Sequence, residues 1–213
     1  MREFNLLDQC LAQIDTAIRS LLPPEKRETA RVSPAQGLKE PHLSMQERKH
    51  VAGLMRVNHA GEVCAQALYQ GQALTANLAH VREKMTQAAS EEVDHLAWCE
   101  QRLRELGSEP SILNPVWYAG SLMLGAVAGL AGDKVSLGFL AETENQVSTH
   151  LKNHLKNLPA QDRKSRAIIE EMEQDETNHA HEAIEAGAME LPLPIKKMMS
   201  VVSKIMTKTA YYI

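Results

Sequence analysis

Two Glu-x-x-His steps, Glu92 to His95 and Glu176 to His179, each follow a solitary upstream glutamate, Glu62 and Glu144, and each trio straddles a turn signal at its midpoint. The first two glutamates are centred on Asn77, the second two on Ala160 beside Pro159. If both midpoints are helix-helix turns, each glutamate stands about 15 to 16 residues from its turn, roughly 22 to 24 Å along the axis at a rise of about 1.5 Å per residue. All four carboxylates then fall in one layer. The trios recur in the same order at an offset of about 82 to 84 residues, which an internal duplication explains most simply.

Glu-x-x-His alone is a weak signal, because 21 glutamates and nine histidines in 213 residues give about one by accident, and three occur. The third, Glu47 to His50, has no matching upstream glutamate, and Glu47 stands at the capping-box position after Ser44, so it is expected at the surface. The constellation carries more weight. Residues three apart on a helix share a face, so each remaining pair offers a carboxylate oxygen and an imidazole nitrogen to one place. Glu62 lies among Ala60, Gly61, Val63 and Ala65, and Glu144 follows Gly138, Phe139, Leu140 and Ala141. Carboxylates in apolar helix middles are costly unless paired or metal-bound.

One Glu from each of two helices and a Glu-x-x-His from each of two others is the ligand set of ferritin-like di-iron bundles. The expected fold is therefore all-α, a ferritin-like four-helix bundle built from two helical hairpins with extra membrane-facing helices. Glu62, Glu92, His95, Glu144, Glu176 and His179 are expected to hold two metal ions. Oxygen and imidazole donors without thiolate suit iron or manganese, and two iron ions per subunit are expected. Glu92 and Glu176 would bridge them, with Glu62 and Glu144 terminal. Glu91 and Asp175, four residues before the histidines, would either orient the imidazoles across the bundle or face solvent. His59 and His150 are candidates for the surroundings of the metals or for a pocket, whereas His80, His154 and His181 are expected at the surface.

The helices can be bounded from sequence. Ser44 and Glu47 open one that runs without proline to about Ala76; a second runs from about Leu78 to Leu106, closed by Gly107 and Pro110. The second hairpin spans about Asp133 to Leu158 and Asp162 to Ala186, ended by Pro159 and Gly187. Residues 4 to 22 place Leu7, Cys10, Leu11, Ile14, Ile18 and Leu21 at helical spacing. From Pro23 to Leu43, four prolines and many charges without apolar period predict a linker or loosely docked arm. The expected division is residues 1–43 as an N-terminal helix and linker and residues 44–213 as the metal-binding domain. An aromatic content of 4% with abundant Ala, Leu and Met agrees with helix packing.

These residues resemble the demethoxyubiquinone hydroxylases. The resemblance rests on Arg56-Val57-Asn58-His59-Ala60-Gly61-Glu62, on Glu92-Val93-Asp94-His95-Leu96, on Glu144 with His150 six residues later, and on Asp175-Glu176-Thr177-Asn178-His179, and it covers roughly residues 44 to 213. The His-Ala-Gly-Glu string distinguishes it from ferritins and rubrerythrins. Asn58 stands where the family often has aspartate. The resemblance implies a di-iron monooxygenase that hydroxylates the ring of a polyprenylated demethoxyubiquinone-type intermediate in ubiquinone biosynthesis, consuming O₂ and electrons drawn ultimately from NADH. No Gly-x-Gly-x-x-Gly module for the nucleotide is present in the chain. The rival reading is a ferritin-like oxidase or iron-handling protein without an organic substrate, and a second is a membrane-associated scaffold in which metals only hold the bundle together.

A polyprenyl quinone lies in the bilayer, so membrane contact is expected. Pro115 to Gly132 is uncharged, but Gly120, Gly125, Gly129 and Gly132 make it a weak span; a helix on the bundle with a lipid-facing surface is expected ahead of a core helix or a membrane crossing. The last helix sets Ile195, Met198, Met199, Val202, Ile205 and Met206 against Lys196, Lys197, Lys204 and Lys208, a pattern suited to anionic lipid or to ordinary docking. A net charge of -4 gives no general reason to bind nucleic acid. Three cysteines without paired spacing and an N-terminus with Glu3, Asp8 and Asp15 predict a cytoplasmic-side protein, which together with the expected membrane contact makes it a peripheral protein on the cytoplasmic face of the cell membrane. A lipid-binding accessory protein that delivers substrate is compatible with this reading.

Overall fold

The computed structural model describes residues 6–25 and 27–213, with residues 6–10 and residue 80 as backbone alone. The described residues form seven helices and no strand: α1 Leu6–Leu21, α2 Met45–Thr75, α3 Ala79–Glu105, α4 Asn114–Leu130, α5 Asp133–Asn157, α6 Arg163–Glu185 and α7 Leu193–Ala210. The expectations for residues 4 and 5, for the side chains of Leu7, Asp8 and Cys10, and for a surface His80 fall outside the described residues.

Local chemistry sets the boundaries. Ser44 accepts from the Glu47 amide while the Glu47 carboxylate accepts from the Ser44 amide, a complete capping box that starts α2. Asp162 accepts from the Ser165 amide at the start of α6. Gly107 and Gly187 adopt positive φ at 69° and 99°. Each closes its helix with the same pair of backbone bonds, Ser108 to Leu103 and Gly107 to Arg104 after α3, Ala188 to Ala183 and Gly187 to Ile184 after α6. The two hairpins, α2 with α3 and α5 with α6, thus end alike. Asp133, at the start of the second, accepts from the amides of Asn77 and Leu78 in the turn of the first, at 3.0 Å each.

Apolar side chains close the four-helix core on both sides of its middle. Met55, Trp98, Leu103, Leu151, Ile169 and Met172 fill one end, and Leu68, Tyr69, Met85, Leu137 and Leu140 the other. Helix α4 lies along α2 with its backbone close enough that a Cβ on Gly125 would overlap the Leu68 carbonyl and one on Gly71 the Leu122 carbonyl. Of the glycines read above as weakening a span, Gly125 and Gly129 are contact points with α2, whereas Gly120 and Gly132 face open space. Among the described residues no helix is long and apolar enough to cross a membrane.

The segment after α1 differs from a loose linker. Arg27 pairs with Glu100 at 2.6 Å, both side chains nearly fully buried, and Glu40 pairs with the buried Arg102 at 2.9 Å and with Lys164 at 2.9 Å. Ala35 sits in the core beside Val51 and Trp98. Its lack of apolar period is real, but ion pairs and one small residue suffice to dock it.

Candidate metal centre

Glu62 on α2, Glu92 and His95 on α3, Glu144 on α5, and Glu176 and His179 on α6 are all buried. Ligand atoms of Glu62, Glu92, His95 and Glu176 lie within 4.8 Å of one another. His95 Nδ1 stands 2.8 Å from Glu92, 3.3 Å from Glu176 and 3.7 Å from Glu62. His179 Nδ1 stands 3.3 Å from Glu92 and 3.4 Å from Glu176. Glu92 and Glu176 therefore face both imidazoles. Glu144 completes the group against Glu176.

The outward nitrogens are tied crosswise. His95 Nε2 donates to Asp175 on α6 at 2.9 Å, and His179 Nε2 donates to Glu91 on α3 at 2.6 Å. Each hairpin supplies the acid that orients the other's imidazole and leaves Nδ1 aimed at the carboxylates. A cleft of about 300 Å³ lined by Glu91, Asp94, Asp175, Asn178 and His179 opens beside these pairs.

The electrostatics fit a cation. Burial and the charge of Glu92 push Glu62 well above the usual carboxylate range, and burial with the charge of Glu176 does the same to Glu144. Burial opposes protonation of His95 and His179, but Glu92 with Asp175, Glu176 and Glu62 outweighs it at His95, and Glu176 with Glu92 raises His179 to about 12. Burial also works against the Asp175 carboxylate, yet His95 and Arg31 hold it down at about 2. Four carboxylates this close need positive charge, which protons supply here and a bound cation would supply more fully. The buried Oε1 atoms of Glu92 and Glu144 have no hydrogen-bond partner, as expected of oxygens shaped for a metal.

The other candidates are spread more widely. His59, one turn before Glu62, stands 3.5 Å from Glu100 and 3.3 Å from the Asn114 amide. His150 lines a pocket with Val57, Tyr211 and Tyr212, its ring 3.9 Å from that of His154. His154 is buried, so its expected surface position is corrected: it packs under the C-terminal residues. His181 is exposed. His50 contacts the Tyr211 hydroxyl at 2.7 Å, far from the centre's ligands. Sequence reasoning missed Arg31 and Asp94, whose pairing bridges 63 residues; the arm mixes its cations with Glu25, Glu28 and Glu40, so no local signal singled Arg31 out.

Known proteins carry this chain's pattern over its whole length. The 3-demethoxyubiquinol 3-hydroxylase of Legionella pneumophila (strain Lens) is 63% identical over 213 residues, 100% of both chains. That of Acinetobacter baumannii (strain ACICU) is 57% identical over 213 residues, again 100% of both. The family model described as ubiquinone biosynthesis protein COQ7 matches residues 49–210, a stretch that contains all six clustered side chains, and the chain belongs to that family.

Proposed function

We propose that the chain is a monooxygenase of ubiquinone biosynthesis that hydroxylates the ring of a polyprenylated demethoxyubiquinol with O₂, working through two iron ions in a ferritin-like bundle. The single observation that carries this is the convergence of Glu62, Glu92, His95, Glu144, Glu176 and His179 in one buried layer, in a chain whose full-length relatives are named for that reaction. Those names disfavour the rival reading as an iron-handling protein without organic substrate.

In this reading Glu62, Glu92, His95, Glu144, Glu176 and His179 would hold the iron, with Glu92 and Glu176 each facing both imidazoles. Iron, when bound, would supply the electron transfer and O₂ activation that side chains lack. Asp175 and Glu91 keep His95 and His179 in the tautomer that presents Nδ1 inward. Leu137, Leu140, Met172 and Trp98 exclude water. A groove of about 320 Å³ with Ala141, Ile184, Ala188, Met189 and Leu191 on its wall and Glu142, Asn145, Glu190 and Lys196 also lining it, one turn from Glu144 on α5, would be the approach for the substrate. NADH is the ultimate electron source.

The same reading places the protein on the cytoplasmic face of the cell membrane, where the substrate resides. Support comes from apolar side chains turned outward: Val116, Met123, Val127 and Leu130 on α4, and Leu193, Met198, Val201, Val202 and Ile205 on α7. A lipid-binding accessory protein would ease extraction of the substrate's tail.

The test is turnover of a demethoxyubiquinol by iron-loaded protein under ¹⁸O₂. One labelled oxygen in the product is expected, and Glu176→Gln is expected to lower the rate at least about a hundredfold by removing a ligand's charge. Ferrous oxidation without any labelled quinol, or full turnover by Glu176→Gln, would overturn the assignment.

A further inference from the structure

The two crosswise pairs at the centre are not equivalent. Glu91, which orients His179, is 41% exposed in its side chain and has Gln87, at 3.0 Å, as its other partner. Asp175, which orients His95, is 18% exposed, and the same oxygen that accepts from His95 also accepts from Arg31 Nη2 at 2.7 Å.

Arg31 is delivered from outside the bundle. The amides of Ala30 and Arg31 donate to Asp94 at 2.8 and 3.2 Å, and Arg31 Nε donates to the same carboxylate at 3.1 Å. Its guanidinium lies 4.9 Å over the Trp98 ring, which stands 5.4 Å from the His95 ring. A planar fork held by Asp94 and Asp175, with Glu171 a further 3.6 Å contact at Nη1, and by an aromatic face has little freedom. Among the described residues, only one of the two imidazole-acid pairs receives such a brace.

We propose that Arg31 is a positioning residue of the metal centre: through Asp175 it fixes the orientation of His95, so the N-terminal arm makes one metal position more rigid and more retentive than the other. The inference rests on the two-iron reading. Partners that orient a ligand are commonly worth about ten- to a hundredfold in metal affinity, which sets the expected size. Arg31 is not one of the clustered ligands; it acts through Asp175, and its Nη2 also stands 3.4 Å from His95 Nε2.

The experiment uses the full-length, iron-loaded protein. Iron loss to excess bipyridine is followed under anaerobic conditions, and the two ferrous sites are resolved by Mössbauer spectroscopy. In the wild type two phases are expected. Arg31→Gln is expected to speed the slower phase about ten- to a hundredfold and to shift one ferrous doublet while leaving the other in place. Arg31→Lys, which keeps the charge but loses the fork, is expected between them. Glu40→Gln weakens the arm's far anchor and leaves Arg31 untouched, so wild-type release is expected.

Release rates and spectra of Arg31→Gln that match a two-iron wild type would overturn the proposal and leave the di-iron reading standing. A wild type that takes up no iron would defeat the reading itself, and the inference with it. Equal acceleration by Glu40→Gln and Arg31→Gln would reduce the effect to arm docking and likewise overturn positioning. Should Arg31→Gln not fold, Arg31→Lys decides: an unchanged slow phase and unchanged doublets overturn the proposal.

Discussion

His150 and His154 stand one turn apart on α5, ring to ring at 3.9 Å, and the buried Nδ1 of His154 has no partner among the described residues. Burial lowers His150 to about 4, and burial with the proximity of His150 and His50 lowers His154 to about 3. An unfolded histidine titrates near 6.5, so between that pH and about 4 the unfolded chain binds protons that the folded chain refuses. Stability is full above pH 6.5 and falls as pH drops through the window. At about 1.4 kcal/mol per pH unit, the step from pH 7 to pH 5 costs on the order of 2 kcal/mol for His154. Urea unfolding of His154→Leu is expected to show a pH 7 to pH 5 loss smaller by about that amount; an equal loss in both proteins would refute the account. The six clustered residues were legible in sequence because i,i+3 spacing and the repeat both point at one layer. His154 was not, since nothing local marks which face of α5 the C-terminus covers. Arg31 was hidden for a related reason: its partners are 63 and 144 residues away.

Among the elements, α4 was expected to pack on the bundle with an outward apolar surface. Gly125 and Gly129 let it approach α2 at Leu68, Gln72 and Thr75, a role for the glycines that the sequence, in which they count only as weakening a span, does not show. Gly120, in the same helix, would meet nothing within 4 Å if it carried a Cβ. Gly125→Ala is expected to destabilise by about 1 to 3 kcal/mol through backbone overlap, whereas Gly120→Ala is expected to stabilise by about 0.5 to 1 kcal/mol by restricting the unfolded chain. Thermal melts of the two variants check this directly, and equal shifts would disprove it. The remaining helices were readable at their ends because caps are local chemistry, as at Ser44, Gly107 and Gly187. The arm between α1 and α2 was not readable, because it is docked by ion pairs to Glu100, Arg102 and Lys164 and carries no periodic face of its own.

For the molecule as a whole, α7 presents an outward apolar stripe beside Lys197, Lys204 and Lys208, while Lys196 is already paired with Glu142 and Glu190. Basic residues near an anionic leaflet contribute about 1 kcal/mol each. Changing Lys197, Lys204 and Lys208 together to Gln is expected to weaken co-sedimentation with anionic vesicles at least about tenfold at low salt, with the difference shrinking in high salt. Sedimentation unaffected by the substitutions would exclude an electrostatic anchor. The crosswise bonds from His95 to Asp175 and from His179 to Glu91 have a consequence for descent. Each half-chain carries one imidazole and one acid at matching positions, so the first half is self-complementary: two copies facing across a dyad would satisfy each other as an isologous pair. Joined in one chain, the halves are not bound by that symmetry, and Arg31 contacts Asp175 on one side while Gln87 contacts Glu91 on the other.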